Sequence, residues 1–147
     1  MKYHIRILMI VFVITFGTTY GQGKFGLGII LGEPTGISAK VWLSGATSID
    51  GAVAWSFANE SAFHIHADFL IHNFDVFSKV VPLYYGIGGR IKFRENETRI
   101  GVRIPVGVAY DIPSTTIDLF LEIVPLLNLN PSTSFTLNGA LGGRFYF

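Results

Sequence analysis

Apolar and polar side chains alternate in eight short segments separated by turn residues, and this alternation constrains the fold of the chain more than any other feature. A period of two puts successive side chains on opposite faces of a β-strand. No stretch beyond Lys24 keeps the 3.6-residue apolar period of an amphipathic helix. The connections are short and rich in Gly, Pro, Asn, Ser and Thr, as is typical of hairpins. The predicted strands are Phe25–Leu31, Thr35–Leu43, Ser48–Phe57, Ala62–Phe74, Leu83–Phe93, Thr98–Tyr110, Ile117–Leu129 and Phe135–Phe147.

The two faces of these segments differ in size as well as in polarity. One face carries large branched or aromatic side chains, whereas the other holds single charges spaced among Gly, Ala and Ser, and small residues suit the crowded inside of a narrow barrel. We therefore predict an all-β fold, an eight-stranded antiparallel transmembrane β-barrel with its apolar face toward lipid and its polar face toward the lumen. Closure is required because an open strand edge in hydrocarbon leaves backbone groups unpaired.

Composition narrows the classes of function. Charged residues make up 14% of the 147 residues, against about 25% in an ordinary soluble domain, and 50% are hydrophobic. The formal net charge of +1 gives no electrostatic basis for binding nucleic acid, so we expect no such partner. The absence of cysteine excludes disulfides and Cys-ligated zinc, and we expect no cofactor.

The N-terminal residues have the pattern of a secretory signal peptide. Lys2 and Arg6 precede the apolar run Ile7–Ile14, and small residues lead up to Gly21. The apolar run is too short for a membrane-spanning helix, which needs about 20 residues, so a retained N-terminal anchor is disfavoured. We predict a cleaved signal peptide over residues 1–21 and a barrel over residues 22–147, with the cleavage site uncertain by a few residues.

The C-terminus carries a second signal of export. Leu141, Phe145 and Phe147 share the apolar face of the last segment, and the sequence ends at an aromatic residue. This pattern resembles the terminal strand by which outer-membrane barrels are handed to their assembly machinery. We therefore expect the bacterial outer membrane as the location, with membrane lipid and the assembly machinery as partners.

Several blocks of the sequence also resemble a known family. The blocks are Gly32–Leu43, His66–Leu70 with His72 and Phe74–Asp75, Pro82–Arg90, Gly101 with Arg103–Gly107, Glu122 with Pro125, and Gly143–Phe147. Together they are similar to small, poorly characterised bacterial outer-membrane β-barrel proteins, including spirochaete members likened to the membrane domain of OmpA. The resemblance implies an eight-stranded outer-membrane barrel. Binding of a host complement regulator has been proposed for some spirochaete relatives, and the family has no established biochemical activity.

Nine charged residues fall on the polar face and form the predicted lumen network. An eight-stranded barrel is only wide enough to be filled by side chains, and buried charges pair with one another. We therefore expect a salt-bridged plug, with a narrow pore lined by the same charges as the alternative. The network residues are Lys40, Asp50, Asp68, Arg90, Lys92, Arg103, Asp118, Glu122 and Arg144.

Hairpin arithmetic predicts two ion pairs in this network. Matching positions around the turn between the fourth and fifth segments places Asp68 opposite Gly88, so that Arg90 is a diagonal neighbour. The same arithmetic places Glu122 opposite Gly107, with Arg103 farther along the same strand. We predict the pairs Asp68–Arg90 and Glu122–Arg103.

His64 and His66 share one face of a strand and are weak candidates for a metal site. The nearby Arg90 would repel a cation, so no metal site is predicted. Aromatic residues near the segment ends are candidates for interfacial girdles, with a soluble core as the other interpretation. They are Trp42, Trp55, Phe57, Phe74, Tyr84, Tyr85, Phe93 and Tyr110.

The expected function is a structural or interaction role, in which exposed loops touch an envelope or host-protein ligand. The alternative is a narrow pore or channel for ions or small solutes. An enzyme is not expected, because no nucleophile, base and orienting group recur in a sensible order. A soluble lipocalin-like barrel is the rival fold, and it would need its large apolar residues inside.

Overall fold

The computed structural model describes residues 24–32, 35–56, 61–130 and 132–147. The predicted signal peptide lies outside these ranges. Nine antiparallel strands fill most of the described chain, and each coincides with a segment of alternating polarity. They are β1 (Phe25–Gly32), β2 (Thr35–Trp42), β3 (Thr47–Ser56), β4 (Ala62–Ser78), β5 (Val81–Arg94), β6 (Glu97–Arg103), β7 (Val106–Asp111), β8 (Ile117–Asn130) and β9 (Ser134–Tyr146).

The strands close into a ring. Consecutive strands pair from β1 through β5, β8 pairs with β9, and β9 returns to pair with β1. Both β6 and β7 lie between β5 and β8, so the nine strands occupy eight positions around the barrel. The predicted eight-stranded antiparallel barrel is confirmed. No helix in the described ranges is long and apolar enough to cross a membrane.

The sixth predicted strand is divided at Ile104 and Pro105 into β6 and β7. Pro105 has no N–H to donate to the ladder, which interrupts the strand. The hydrogen bonding nevertheless continues through the gap, because the amide of Ile104 donates to the carbonyl of Pro125 (3.0 Å) and that of Gly86 donates to the carbonyl of Pro105 (3.0 Å). β6 and β7 therefore act together as one interrupted strand of the barrel wall.

The hairpin between β4 and β5 is longer than predicted. The sequence suggested a connection over Asp75–Pro82, but β4 continues to Ser78 and β5 begins at Val81, with a register shift between Asn73 and Ser78. This stretch contains Val76, Phe77, Val80 and Val81, which favour extended structure. The hairpin therefore projects past the start of β3, whose first residue pairs with Ile71.

The apolar face of every strand points outward. Ile29, Ile37, Ile87, Leu121 and Ile123 are each more than half exposed, so most of the large hydrophobic residues cover the outer surface. The large apolar residues that are buried inside the barrel are fewer: Ile30, Leu70, Phe120, Val124 and Leu126. This is the reverse of a lipocalin-like barrel, whose large apolar residues fill the interior. The fold thus has the inverted polarity that a lipid environment requires.

Outward aromatic rings form a row at each end of the barrel. Phe25 and Phe147 stack at 6.2 Å between ring centroids at the end that holds both strand termini, here called the terminal end. Trp55 and Phe93 flank Phe63 at 5.9 and 6.3 Å at the opposite, distal end. Two of the other girdle candidates, Tyr85 and Tyr110, also face outward. Tyr84 faces inward, and Trp42 and Phe74 pack on His72. Phe57 lies outside the described residues.

Candidate functional site in the barrel interior

The predicted network residues point into the lumen from seven of the nine strands. All are buried except Lys92, which is half-buried near the distal end. They divide into a central layer and a layer on each side of it, and the residues are Lys40, Asp50, Asp68, Arg90, Lys92, Arg103, Asp118, Glu122 and Arg144.

Arg103 is the centre of the middle layer and is fully buried. Its Nε donates to both carboxylate oxygens of Asp68, at 3.0 and 3.1 Å. Its Nη2 lies 3.7 Å from Oε1 of Glu122, and the hydroxyl of Tyr84 donates to the other oxygen of Glu122 at 3.0 Å. One guanidinium thus links β4 to β8 across the middle of the lumen.

The predicted Asp68–Arg90 pair is wrong, although the register behind it is correct. Asp68 does lie opposite Gly88, and Gly88 in turn lies opposite Arg103. Because Gly88 has no side chain, the Asp68 carboxylate occupies the space above it, 1.9 Å from where a Cβ would be, and meets Arg103 from the far side. Arg90 instead donates to Oδ1 of Asn128 at 2.7 Å.

The predicted Glu122–Arg103 pair is present. Glu122 lies opposite Gly107 of β7, as the hairpin arithmetic requires. The guanidinium of Arg103 reaches Glu122 from β6, which shares one position in the barrel with β7. Both glycines leave room for longer neighbours, since a Cβ at Gly107 would meet the ring of Tyr84 at 2.5 Å. Small residues on the inner face therefore determine which charged groups can meet.

A second layer lies toward the terminal end and is built on Arg144. Its Nη2 donates to Oδ2 of Asp50 at 2.8 Å, and its Nε donates to the hydroxyl of Ser38 at 3.0 Å. The guanidinium also lies 4.1 Å from the centre of the Phe120 ring. One buried side chain therefore holds four strands together through charge-assisted and aromatic contacts.

Lys40 occupies the same end of the lumen in an aromatic environment. Its Nζ lies 2.8 Å from Nε2 of His72, 4.4 Å from the Trp42 ring centre and 5.8 Å from the Tyr84 ring centre. His72, Tyr84 and Ser38 were not among the predicted site residues. The alternation itself could have found them, because all three fall on the polar face of their segments.

The terminal end opens into a cavity of about 580 Å³. Asp111 and Asp118 lie directly opposite each other on its wall, and Tyr146 donates a hydrogen bond to Asp118 at 2.7 Å. Trp42 and Phe74 form an aromatic side of the same cavity. The predicted network residue Asp118 thus belongs to a vestibule, separated from the distal end by the two charged layers.

The distal layer contains the two candidate metal ligands. His64 and His66 are buried with their ring centres 6.0 Å apart, and they lie opposite Lys92 and Arg90. Within the described ranges, no group of three or more His, Cys, Asp or Glu side chains is arranged to hold a metal ion. Two neighbouring cations make this layer a poor place for a further one.

The fold is that of small eight-stranded outer-membrane β-barrels. One solved structure with this fold is the N-terminal β-barrel domain of Pseudomonas aeruginosa OprF, with a TM-score of 0.65 and 11% identity over 84% of this chain and 95% of that one. Another is Neisserial surface protein A (NspA), with a TM-score of 0.60 and 16% identity over 87% of this chain and 100% of that one. No protein-family model matches the sequence, and no curated protein does.

These comparisons confirm the expected likeness to OmpA-type membrane barrels at the level of the fold. Identities of 11% and 16% carry no inference about activity or ligand.

Proposed function

We propose that this chain is a small outer-membrane protein with a structural or interaction role and a lumen closed by side chains. The observation that carries the proposal is the pair of charged layers around Arg103 and Arg144, which join opposite walls of the barrel. A buried ion-pair network of this kind fills the space that a pore would need. An enzymatic role is not proposed.

The outer surface supports membrane insertion. Its exposed apolar belt is bounded by an aromatic row at each end, the arrangement that a lipid bilayer with two interfaces favours. Leu141, Phe145 and Phe147 face outward on the last strand, where an assembly factor can reach them. Export through a cleaved signal peptide over residues 1–21 and handling by the outer-membrane assembly machinery complete the proposal.

Any protein partner must bind through the ends of the barrel, since lipid covers its sides. The connections at the distal end are short, and the β4–β5 hairpin is the longest projection at the terminal end. An envelope or host-protein ligand would therefore meet a small surface, and large adhesive contacts are not expected.

Planar bilayers test the closed lumen. We expect the reconstituted protein to give no stable conductance, because the charged layers leave no continuous water path. A variant that removes both links, with Asp68→Ala and Arg103→Ala in the central layer and Asp50→Ala and Arg144→Ala in the second layer, should conduct intermittently. Stable conductance by the unaltered protein would instead favour the alternative, a narrow pore for ions or small solutes.

Electrophoresis tests the barrel itself. A folded membrane barrel stays compact in detergent, so the unheated protein should migrate faster than the heated protein. Partition of the folded protein into buffer without detergent would contradict membrane insertion.

A further inference from the structure

We propose that the distal end of the lumen binds an oxyanion of the phosphate type. The site consists of inward-facing side chains of β4, β5 and β6, with Asn128 of β8 below them. It adjoins the central charged layer, since Nε2 of His66 lies 4.0 Å from Oδ2 of Asp68. The residues are His64, His66, Arg90, Lys92, Arg99 and Asn128.

The register places donor groups in two adjacent rows. His64 lies opposite Lys92, and Lys92 lies opposite Arg99. One step deeper, His66 lies opposite Arg90. Directly opposed side chains have Cβ atoms about 5 Å apart, so these groups converge on one small volume. Lysine and arginine have no acceptor atoms, so a ligand that fits must bring its own.

The strongest sign of a missing ligand is His64. The residue is 1% exposed, and neither of its ring nitrogens has a hydrogen-bond partner among the described residues. Nδ1 of His66 is also buried without a hydrogen-bond partner among the described residues. A buried donor without an acceptor costs about 1–3 kcal/mol, and a bound oxyanion would remove this cost.

The charge at this end favours an anion. Arg90, Lys92, Arg94 and Arg99 face the distal lumen, and within the described ranges Glu97 is bound to Arg99 at 2.8 Å. Glu95, in the turn between β5 and β6, is a further carboxylate at this end. The four cations outnumber Glu95 and Glu97, the two acids that the described residues place here, before either histidine is protonated.

Small residues lie beside the long cationic side chains at this level. Ala54 and Ala52 of β3 lie opposite His64 and His66, and Gly101 of β6 lies opposite Arg90. A tetrahedral oxyanion suits this set of donors, since guanidinium groups bind such oxygens in pairs and an ammonium adds a point charge.

The phosphate can come from a free solute or from a lipid headgroup at the membrane surface, and the test separates these sources. The full chain, folded in a detergent with uncharged sugar headgroups, is labelled at the histidine rings and titrated with inorganic phosphate at constant pH. We expect a saturable shift of the His64 resonance. A parallel titration uses phosphatidylglycerol, with an uncharged glycolipid as its control.

The variant Lys92→Gln with Arg99→Gln should weaken binding roughly tenfold, because two charge-assisted contacts are lost. Lys79→Gln removes a cation from the opposite, terminal end and should leave the affinity unchanged. The heat-dependent shift in electrophoresis verifies that each variant is folded. A second variant, His64→Gln, is followed through the His66 resonance.

A response to inorganic phosphate assigns a soluble source, and a response to phosphatidylglycerol alone assigns a headgroup. The proposal is overturned if neither ligand shifts the histidine resonances, or if the folded double variant binds as tightly as the original protein. Because the readout needs only the folded barrel, this result is independent of whether the lumen conducts.

Discussion

Arg103 and Asp68 form an ion pair across Gly88, with Nε of the arginine 3.0 and 3.1 Å from the two carboxylate oxygens. The two residues belong to strands that are not neighbours, and the glycine between them makes the contact possible. Both side chains are almost completely buried. The pair is therefore well placed to determine the stability of the barrel.

Removing one partner of this pair should destabilise the barrel strongly. Asp68→Ala leaves the buried Arg103 without its main partner and should lower the free energy of unfolding by about 3–5 kcal/mol. Asp68→Ala with Arg103→Ala should cost less than the sum of the two single changes. Urea unfolding followed by tryptophan fluorescence in detergent measures this coupling. The matched control is Asp68→Ala with Arg90→Ala, whose effects should add; coupling there and none with Arg103 would contradict the pairing.

Alanine substitutions at the adjacent glycines Gly88 and Gly89 should have contrasting effects on stability. A Cβ at Gly88 would lie 1.9 Å from Oδ1 of Asp68, so Gly88→Ala must displace the carboxylate. We expect a loss of roughly 3 kcal/mol. At Gly89 the nearest atom is 3.9 Å away, and Gly89→Ala should fold and unfold like the original protein. Equal stability of the two variants would show that the carboxylate does not depend on this space.

Arg144 should not tolerate replacement by lysine. Its guanidinium binds Asp50 and Ser38 through separate nitrogens and stacks on Phe120, and an ammonium group cannot repeat this geometry. Arg144→Lys should lower the free energy of unfolding by about 1–3 kcal/mol. The control is Arg99→Lys, since Arg99 is one-third exposed and binds Glu97 at the barrel rim. An equal loss of unfolding free energy at both positions would contradict the role of Arg144 in holding this layer together.

The outer belt should reject charge in proportion to depth. Ile123 lies midway along β8 and is 56% exposed on the outer face. In a bilayer, Ile123→Arg should lower the free energy of unfolding by about 2–4 kcal/mol, whereas Ile117→Arg at the end of the strand should cost about 1 kcal/mol or less. Refolding into lipid vesicles measures both variants. If both arginines are accepted equally, the belt does not face hydrocarbon.

The alternation of side chains was enough to predict the strands, their faces and much of their pairing. Positions that sum to 156 in β4 and β5 do oppose each other, as Asp68 and Gly88 illustrate. In β8 and β7 the opposed positions sum to 229, as Glu122 and Gly107 illustrate. A period of two allows only two orientations of a strand, and short turns leave little choice of register, so local information decides both.

Less regular features were harder to predict. Pro105 divides a strand without changing its register, and the β4–β5 hairpin extends past the predicted turn because its residues favour extended structure. His72, Tyr84 and Ser38 follow from the polar face, but nothing in the sequence ranks them above their neighbours.

By itself, the sequence determined that this chain forms a closed barrel with apolar residues outside and polar residues inside. Only the tertiary structure decided which inward charges meet. Asp68 binds Arg103 and not Arg90, and Arg144 of the last strand binds Asp50 of the third. Such contacts cross the lumen between strands that are distant in sequence, and they depend on how far a side chain extends over a glycine. That information exists only once the ring has closed.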